Sequence, residues 1–186
     1  MKLAGLILMG GKNTRMQGQK KAFLKYGEKL FYQHTAACMQ SLGNIYLSVE
    51  KTEGYEQLGY PLVADEYPEI GPLGGLHSGL KHCAEEALFV LPCDMPKLSE
   101  VVVAGMIAGW EQIKTPLILQ TRERWYPLVG IYHKSDLGLL EARIASGDFR
   151  AAAFARAVGV RLFCFEEKEA SEMVKNVNSP EEYNSL

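Results

Sequence analysis

Short, continuously apolar runs alternate along the chain with stretches whose apolar positions recur every three or four residues. The runs predict five buried strands: KLAGLILM (2–9), NIYLSV (44–49), YPLVAD (60–65), ALFVLPCD (87–94) and TPLILQT (115–121). Helical periodicity lies between them, in KLFYQHTAACMQSLG, GPLGGLHSGLKHCAEE and SEVVVAGMIAGWEQI. Because strands that are apolar throughout are covered on both faces, this alternation predicts an α/β fold: three α/β/α layers around a Rossmann-like, mostly parallel sheet.

The alternation of predicted strands and helices changes after residue 121. RERWYPLVGIY (122–132) predicts an antiparallel or hairpin strand, and helical stretches follow near 134–146 and 148–158. RLFCFEE predicts a late strand, and NSPEEYNSL a short terminal helix with Asn178 or Ser179 as its cap and Pro180 in its first turn. Since no repeat or linker divides the chain, we expect a single domain over residues 1–186, with a small antiparallel element.

Local signals predict where several helices begin and end. Gly43 is a stop signal for the first helix, Pro72 suits the first position of the second, and Ser99 suits the N-cap of the third. The third helix should bury one face against the sheet, formed by Val103, Met106, Ile107 and Trp110.

Composition excludes several functional classes. Apolar residues make up 47% of the 186 residues, enough for a real core, and the net charge of −2 argues against a nucleic-acid or membrane-surface binder. The N-terminal apolar run is too short and too glycine-rich for a signal peptide. Four cysteines without a CxxC pair predict reduced core residues in a cytoplasmic protein: Cys38, Cys83, Cys93 and Cys164.

A glycine-rich, basic loop follows the first strand, in LILMGGKNTRMQGQKKAFL (6–24). Gly10 and Gly11 allow backbone amides to approach an anion closely, Arg15 can form paired hydrogen bonds with phosphate oxygens, and Lys21 offers a point charge. The segment contains neither GxxxxGK[ST] nor GxGxxG, so an ATPase loop and a hydride-transferring dehydrogenase both lose support.

Two aspartates end predicted parallel strands: Asp65 the third and Asp94 the fourth. Ligands of open parallel sheets bind beyond the carboxyl ends of the strands, so the loop and both carboxylates should share one rim. Mg²⁺ prefers one or two carboxylates together with substrate phosphates, which makes Asp94 a candidate metal ligand. The simpler alternatives are that each aspartate is a turn or cap residue, and that GPLGG (71–75) is a loop-to-helix junction.

Five segments in order and spacing carry a family resemblance: residues 6–24, VADEYPEIGPLGGLHSGL, LFVLPCDMP, YPLVGIYHKS and NVNSPEEY. Over almost all of its length the chain resembles the molybdenum cofactor guanylyltransferases, nucleotidyltransferases with the nucleotide-diphospho-sugar transferase fold. The resemblance implies that the terminal phosphate of molybdopterin (Mo-molybdopterin) attacks the α-phosphorus of GTP and releases pyrophosphate. It also implies Mg²⁺ as cofactor and transient contact with molybdenum-insertion proteins or molybdoenzymes.

The resemblance also implies roles for individual residues. The implied nucleotide-binding residues are Leu8, Met9, Gly10, Gly11, Arg15, Lys21, Ser48, Asp65, Gly71, Gly74, Gly75 and Asp94. The implied catalytic residues are Arg15, Lys21 and Asp94, with Asp94 as the metal ligand. Asn176 and Asn178 are implied on the acceptor side. The displacement needs no general base, so the histidines are expected to be surface or helix residues: His34, His77, His82 and His133.

Departures from the family pattern and open alternatives remain. Met9 replaces the usual alanine and is expected to face the core, while Gln17 replaces a glycine and would be strained at positive φ. A CTP-dependent or sugar-phosphate nucleotidyltransferase and a non-catalytic nucleotide-binding homologue are the alternatives. Further acceptor candidates are Trp125 and Tyr126 for stacking and Arg122, Arg124 and Arg150 for phosphate, unless this segment is a solvated edge strand.

Overall fold

The computed structural model describes residues 1–10, 20–122, 124–165 and 170–186. In chain order, its strands are β1 (Leu3–Leu8), β2 (Lys25–Tyr26), β3 (Lys29–Leu30), β4 (Ile45–Val49), β5 (Leu62–Ala64), β6 (Ala87–Pro92), β7 (Leu117–Gln120), β8 (Trp125–His133) and β9 (Arg161–Cys164). Its helices are α1 (Phe31–Cys38), α2 (Pro72–His82), α3 (Glu100–Ile113), α4 (Leu137–Ala145), α5 (Ala151–Val158), α6 (Ala170–Met173) and α7 (Pro180–Asn184).

Within the described residues, seven strands form one mostly parallel sheet in the order β5-β4-β1-β6-β8-β7-β9. β5, β4, β1 and β6 are parallel to one another, whereas β8 runs antiparallel between β6 and β7. The predicted parallel sheet with an antiparallel element is therefore confirmed. The separate hairpin of β2 and β3, which turns at Gly27 with φ of 58°, was not predicted.

The two faces of the sheet carry separate apolar cores. Against one face α1 and α3 pack, and Phe89, Met106 and Trp110 are fully buried there. The opposite face carries α2, α4 and α5, with Leu76 and Phe154 fully buried. This arrangement confirms the three α/β/α layers, because near-continuous apolar strands need cover on both sides.

Most predicted helix signals are confirmed, and one helix is shorter than predicted. Ser99 caps α3 by accepting a hydrogen bond from the Val102 amide, and Ser179 caps α7 in the same way. Pro72 and Pro180 occupy first-turn positions. The prediction of a helix over 29–43 was wrong at both ends. Lys29 and Leu30 pair with β2 in the small hairpin instead, and α1 is only eight residues long and ends at Cys38.

The predicted inner face of α3 is confirmed: Val103, Met106 and Trp110 are buried, and the half-buried Ile107 packs against the same core, together with Val102. One expectation about burial was wrong. Cys38, Cys83 and Cys93 are buried as expected, but Cys164 is exposed because it lies on β9, the last strand of the sheet. No helix in the described ranges has both the length and the apolar character that crossing a membrane requires.

β8 contains a wide bulge where it pairs with β7. Ile118 lies opposite Gly130, but the next residue, Leu119, lies opposite Tyr126, so residues 127–129 have no counterpart on β7. A side chain at Gly130 could not fit, since its Cβ would lie 2.7 Å from the Leu117 carbonyl oxygen. Bulges redirect side chains and are frequent beside active sites.

Candidate active site

A cavity of about 590 Å³ opens at the carboxyl ends of β1, β4, β5 and β6. This is the rim on which the sequence predicted a ligand site, because the ends of parallel strands meet at one edge of the sheet. Ten of the predicted site residues line it: Leu8, Met9, Gly10, Lys21, Ser48, Asp65, Gly71, Gly75, Asp94 and Asn176. Met9 is also 6% exposed and packs into the core, as expected for this departure from the family pattern.

One end of the cavity carries a hydrogen-bonded pair from β4 and the loop after β5. The buried Ser48 hydroxyl donates to Asp65 Oδ1 over 2.7 Å. Burial raises the pKa of Asp65 to about 6, the Ser48 hydroxyl opposes this rise, and the neighbouring Glu50 adds to it. Asp65 is thus a carboxylate acceptor near neutral pH whose charge is sensitive to mild acid.

The first turns of α2 lie against this end of the cavity. A Cβ at Gly75 would come within 2.2 Å of Ser48 Oγ, so only glycine lets the helix approach the Ser48–Asp65 pair. Gly74 does not line the cavity, because it faces the preceding loop, where a Cβ would lie 2.2 Å from the Tyr67 carbonyl oxygen. Gly71 joins that loop to the helix at a φ of 75°, a conformation that favours glycine.

The centre of the cavity holds an ion pair between two mostly buried side chains. Lys21 Nζ lies 3.3 Å from Asp94 Oδ2 and donates to Asn178 Oδ1 over 2.7 Å. Burial raises the pKa of Asp94, and the positive charge of Lys21 partly offsets this rise. The Val177 amide donates to the Asp94 carbonyl oxygen, so the C-terminal segment is bound directly to the end of β6. Asn178 does not line the cavity and acts on it through Lys21.

Two oxygen atoms at this centre have no hydrogen-bond partner within the described part of the chain. They are Asp94 Oδ1 and Asn176 Oδ1, both buried and both belonging to residues that line the cavity. Mg²⁺ accepts one carboxylate with other oxygens and phosphates, so this donor set fits it. The described ranges contain no group of three or more His, Cys, Asp or Glu side chains arranged for a metal.

Gly11, Arg15 and Gln17 lie outside the described residues. The roles expected for Gly11 and Arg15 at the triphosphate therefore stay predictions, as does the strain expected at Gln17.

Comparison with known proteins identifies the family of this chain. Residues 5–161 match the sequence profile of the MobA-like NTP transferase domain. The chain belongs to this family. A Clostridium perfringens (strain 13) protein named "Probable molybdenum cofactor guanylyltransferase" is 31% identical over 192 residues, covering 100% of this chain and 96% of the relative. The molybdenum cofactor guanylyltransferase of Serratia proteamaculans is 29% identical, covering 97% of this chain and 91% of its own.

Two solved structures share the fold of this chain. Molybdopterin-guanine dinucleotide biosynthesis protein A from Archaeoglobus fulgidus superposes with a TM-score of 0.78 at 18% identity, covering 98% of this chain and 95% of that one. The 2-C-methyl-D-erythritol 4-phosphate cytidylyltransferase of Thermus thermophilus superposes with a TM-score of 0.70 at 13% identity. The match covers 97% of this chain and 95% of that one. The expected nucleotide-diphospho-sugar transferase fold is thus confirmed.

The further acceptor candidates lie away from the cavity of this MobA-like chain. Tyr126 is buried under the Arg124 guanidinium, 4.7 Å from its ring, and Trp125 faces Arg156 on α5. Arg150 is paired with Asp148. In the described part of the chain, neither these residues nor Arg122 line the cavity.

The histidine expectation holds for three residues and fails for the fourth. His34, His77 and His82 lie on helices, although His77 is fully buried. His133 is a buried strand residue, since it ends β8 and receives a hydrogen bond from Trp110 Nε1 over 2.9 Å.

Eight of the described lining residues were not among the predicted site residues: Glu50, Pro68, Glu69, Ile70, Pro72, Pro92, Cys93 and Leu128. Glu50 follows Ser48 at the end of β4, and Leu128 lies in the β8 bulge. The proline of YPLVG was the available signal for Leu128, because proline inside a strand marks an edge or a bulge.

Proposed function

We propose that the protein transfers GMP from GTP to the terminal phosphate of molybdopterin carrying molybdenum. Pyrophosphate is released and molybdopterin guanine dinucleotide forms. The observation that carries this proposal is one cavity holding the Ser48–Asp65 pair and the Lys21–Asp94–Asn176 cluster. It lies in a chain whose relatives over the full length bear the guanylyltransferase name at 31% and 29% identity. The cytidylyltransferase is 13% identical and shares the fold alone.

The transfer needs alignment and charge neutralisation rather than a protein nucleophile. A phosphate oxygen of the acceptor forms a bond to the α-phosphorus of GTP, and the bond from that phosphorus to the β-phosphate oxygen breaks. The electron pair leaves with pyrophosphate. Lys21 places a positive charge beside the reacting phosphates, and Asn178 fixes the direction of its ammonium group by accepting a hydrogen bond.

Asp94 Oδ1 and Asn176 Oδ1 are the atoms that would hold Mg²⁺. When bound, Mg²⁺ neutralises negative charge on the phosphates and aligns their oxygens. A metal ion held at Oδ1 would add a second positive charge beside the buried Asp94 carboxylate, because Lys21 already contacts the other oxygen. Since burial alone raises the pKa of Asp94, both cations favour the ionised form.

Base recognition falls to Asp65. Its Oδ1 already accepts a hydrogen bond from Ser48, which orients the carboxylate, and Oδ2 accepts none from the described residues. Guanine carries N–H donors that a carboxylate can accept, including its exocyclic amino group. We assign the reaction to the cytoplasm, a reducing compartment that suits the four free cysteines.

The decisive experiment is pyrophosphate release by the purified protein with molybdopterin, Mg²⁺ and each NTP in turn. Release is expected with GTP and should disappear when a chelator removes Mg²⁺. Release with CTP alone would replace the guanylyl assignment by a cytidylyl one. Nucleotide binding without release from any NTP would instead indicate a non-catalytic homologue, and full activity with a chelator would remove the metal from the proposal.

A further inference from the structure

We propose that the β8 bulge, residues 127–129, forms the acceptor-side wall of the cavity. In this proposal Leu128 is an acceptor-contacting residue, and Tyr132 is a positioning residue that holds the bulge in place. The inference rests on the proposed transfer to molybdopterin and adds to it a site for the acceptor.

The register of the sheet explains why Leu128 reaches the cavity. A regular β8 would pair residue by residue with β7, but three residues, from Pro127 to Val129, are extruded between Tyr126 and Gly130. Leu128 is the middle one and lines the cavity with Pro92 and Asp94 of the β6 end. Pro127 has no amide hydrogen, so its displacement from the strand costs no hydrogen bond from that amide. Gly130 lacks a side chain, which permits the close return to β7.

A side-chain hydrogen bond connects the bulge to the core. The Tyr132 hydroxyl donates to the Pro127 carbonyl oxygen over 2.7 Å. The Tyr132 ring is 1% exposed and stacks on Phe154 of α5, with ring centroids 5.3 Å apart. The hydroxyl therefore holds the bulge to a rigid part of the core, and a conformational change of the bulge would leave it buried without its acceptor.

Strand order indicates which substrate the bulge contacts. The cavity runs from Asp65 beside β5, past Ser48 on β4 and Gly10 after β1, to Asp94 after β6. A nucleotide with its base at Asp65 and its α-phosphate at Asp94 covers these four strands. β8 is the next strand beyond Asp94, and neighbouring strands are about 4.8 Å apart.

Leu128 therefore lies on the far side of the reacting phosphorus from the base. The base and ribose occupy the cavity on the other side of that phosphorus, so the space beside β8 is left for the acceptor, whose phosphate must attack opposite the departing pyrophosphate. An aliphatic side chain there suits the apolar face of a flat ring system, and a fixed wall orients the acceptor for attack.

The test compares Leu128→Ala and Tyr132→Phe with the wild type in steady-state transfer. Leu128→Ala should raise the KM for molybdopterin at least about 10-fold, as expected when a pocket loses an apolar contact, and leave the KM for GTP unchanged. Tyr132→Phe keeps the ring and loses only the hydroxyl. It should raise the molybdopterin KM by about 5-fold, corresponding to one hydrogen bond. Leu139→Ala, an exposed leucine on α4, is the matched control and should change neither constant.

Two further measurements make the result decisive. Hydrogen exchange at the amides of Leu128 and Val129 should accelerate in Tyr132→Phe, because the bulge has lost its anchor. An unchanged molybdopterin KM in Leu128→Ala, or an equal rise of both KM values, would overturn the proposal.

Direct binding of molybdopterin separates this inference from the function on which it rests. A wild type that binds molybdopterin without transferring GMP would overturn the proposed function alone, and the dissociation constant of Leu128→Ala would still decide the role of the bulge. A wild type that neither binds nor transfers would overturn both.

Discussion

Asp94 is buried against Lys21, and its Oδ1 has no hydrogen-bond partner among the described residues. A carboxylate is costly to bury without a positive partner, and Lys21 supplies one here. Strain or poor pairing tolerated at one residue is typical of a functional position.

Asp94→Asn should lower kcat/KM for GMP transfer by about 100-fold or more, because the charge that pairs with Lys21 and suits a metal is lost. The fold should persist, since the amide has the same shape as the carboxylate and carries no charge that must be buried. Pyrophosphate release and a thermal melt measure the two effects. Activity like that of the wild type would remove Asp94 as the metal ligand.

Asp65 makes a prediction about pH. Burial raises its pKa to about 6, so the fraction of carboxylate grows as the pH rises through that value and falls below it. GTP affinity should therefore weaken as the pH falls from 7 to 5, because a protonated carboxyl loses an acceptor for the base. Titrations of GTP binding against pH would detect the change.

Asp65→Asn is the matched control for that titration. It should bind GTP weakly at every pH and lose most of the pH dependence. An identical pH profile in this variant would assign the titration to another group.

At the scale of the element, α2 depends on glycines along the face that meets the sheet. A Cβ at Gly75 would contact Ser48 Oγ at 2.2 Å, and one at Gly79 would contact Leu6 Cδ2 at 2.4 Å. The two positions lie one helical turn apart, but only Gly75 lines the cavity. Substitutions at these two positions should therefore distinguish the packing of α2 from its contribution to ligand binding.

Gly79→Ala should destabilise the fold by about 1 kcal/mol or more, since overpacking exceeds the gain in helix propensity, and should leave GTP affinity unchanged. Gly75→Ala should also weaken GTP binding, because Ser48 must turn away from Asp65. Denaturant titration measures the free energy of unfolding of each variant, and equilibrium binding measures its GTP affinity. Gly138→Ala, with open space around it on α4, should cost nothing in either measurement.

β8 illustrates how far pattern analysis reaches at this scale. Its apolar run correctly predicted an antiparallel strand, since apolar composition and a neighbouring turn are local properties. The bulge was not predicted, because it is a mismatch of register with β7, and register is a property of two strands. The same holds for the helix predicted over 29–43, which lost its first residues to pairing with β2.

At the scale of the whole molecule, the C-terminal segment closes onto elements from the beginning of the chain. Tyr183 packs edge-on against Phe31, and its hydroxyl donates to the Lys25 carbonyl oxygen over 2.9 Å. Glu182 accepts hydrogen bonds from the amides of Asn178 and Ser179. These contacts hold Asn178, the partner of Lys21, at the edge of the active site.

Deleting residues 180–186 should therefore lower kcat about 10-fold or more while the sheet still folds, because Lys21 loses its fixed partner. The melting temperature should fall by several degrees as the apolar contacts of Tyr183 are lost. Tyr183→Phe is the control, and it should cost about 1 kcal/mol for one hydrogen bond and keep most of the activity. Full activity in the truncated protein would contradict a role for this segment in positioning Lys21.

The sequence by itself determined the layers of the fold and the rim of the sheet that carries the cavity, while its resemblance to a known family implied ten of the residues that line it. Apolar periodicity, helix caps and strand-end polar residues depend on a few neighbouring positions, so they can be recognised in a single sequence. Only the tertiary structure decided the partners: Lys21 with Asn178, Ser48 with Asp65, and Tyr132 with the β8 bulge. Lys21 and Asn178 are 157 positions apart, and such pairs depend on side-chain packing and register, which no local pattern specifies.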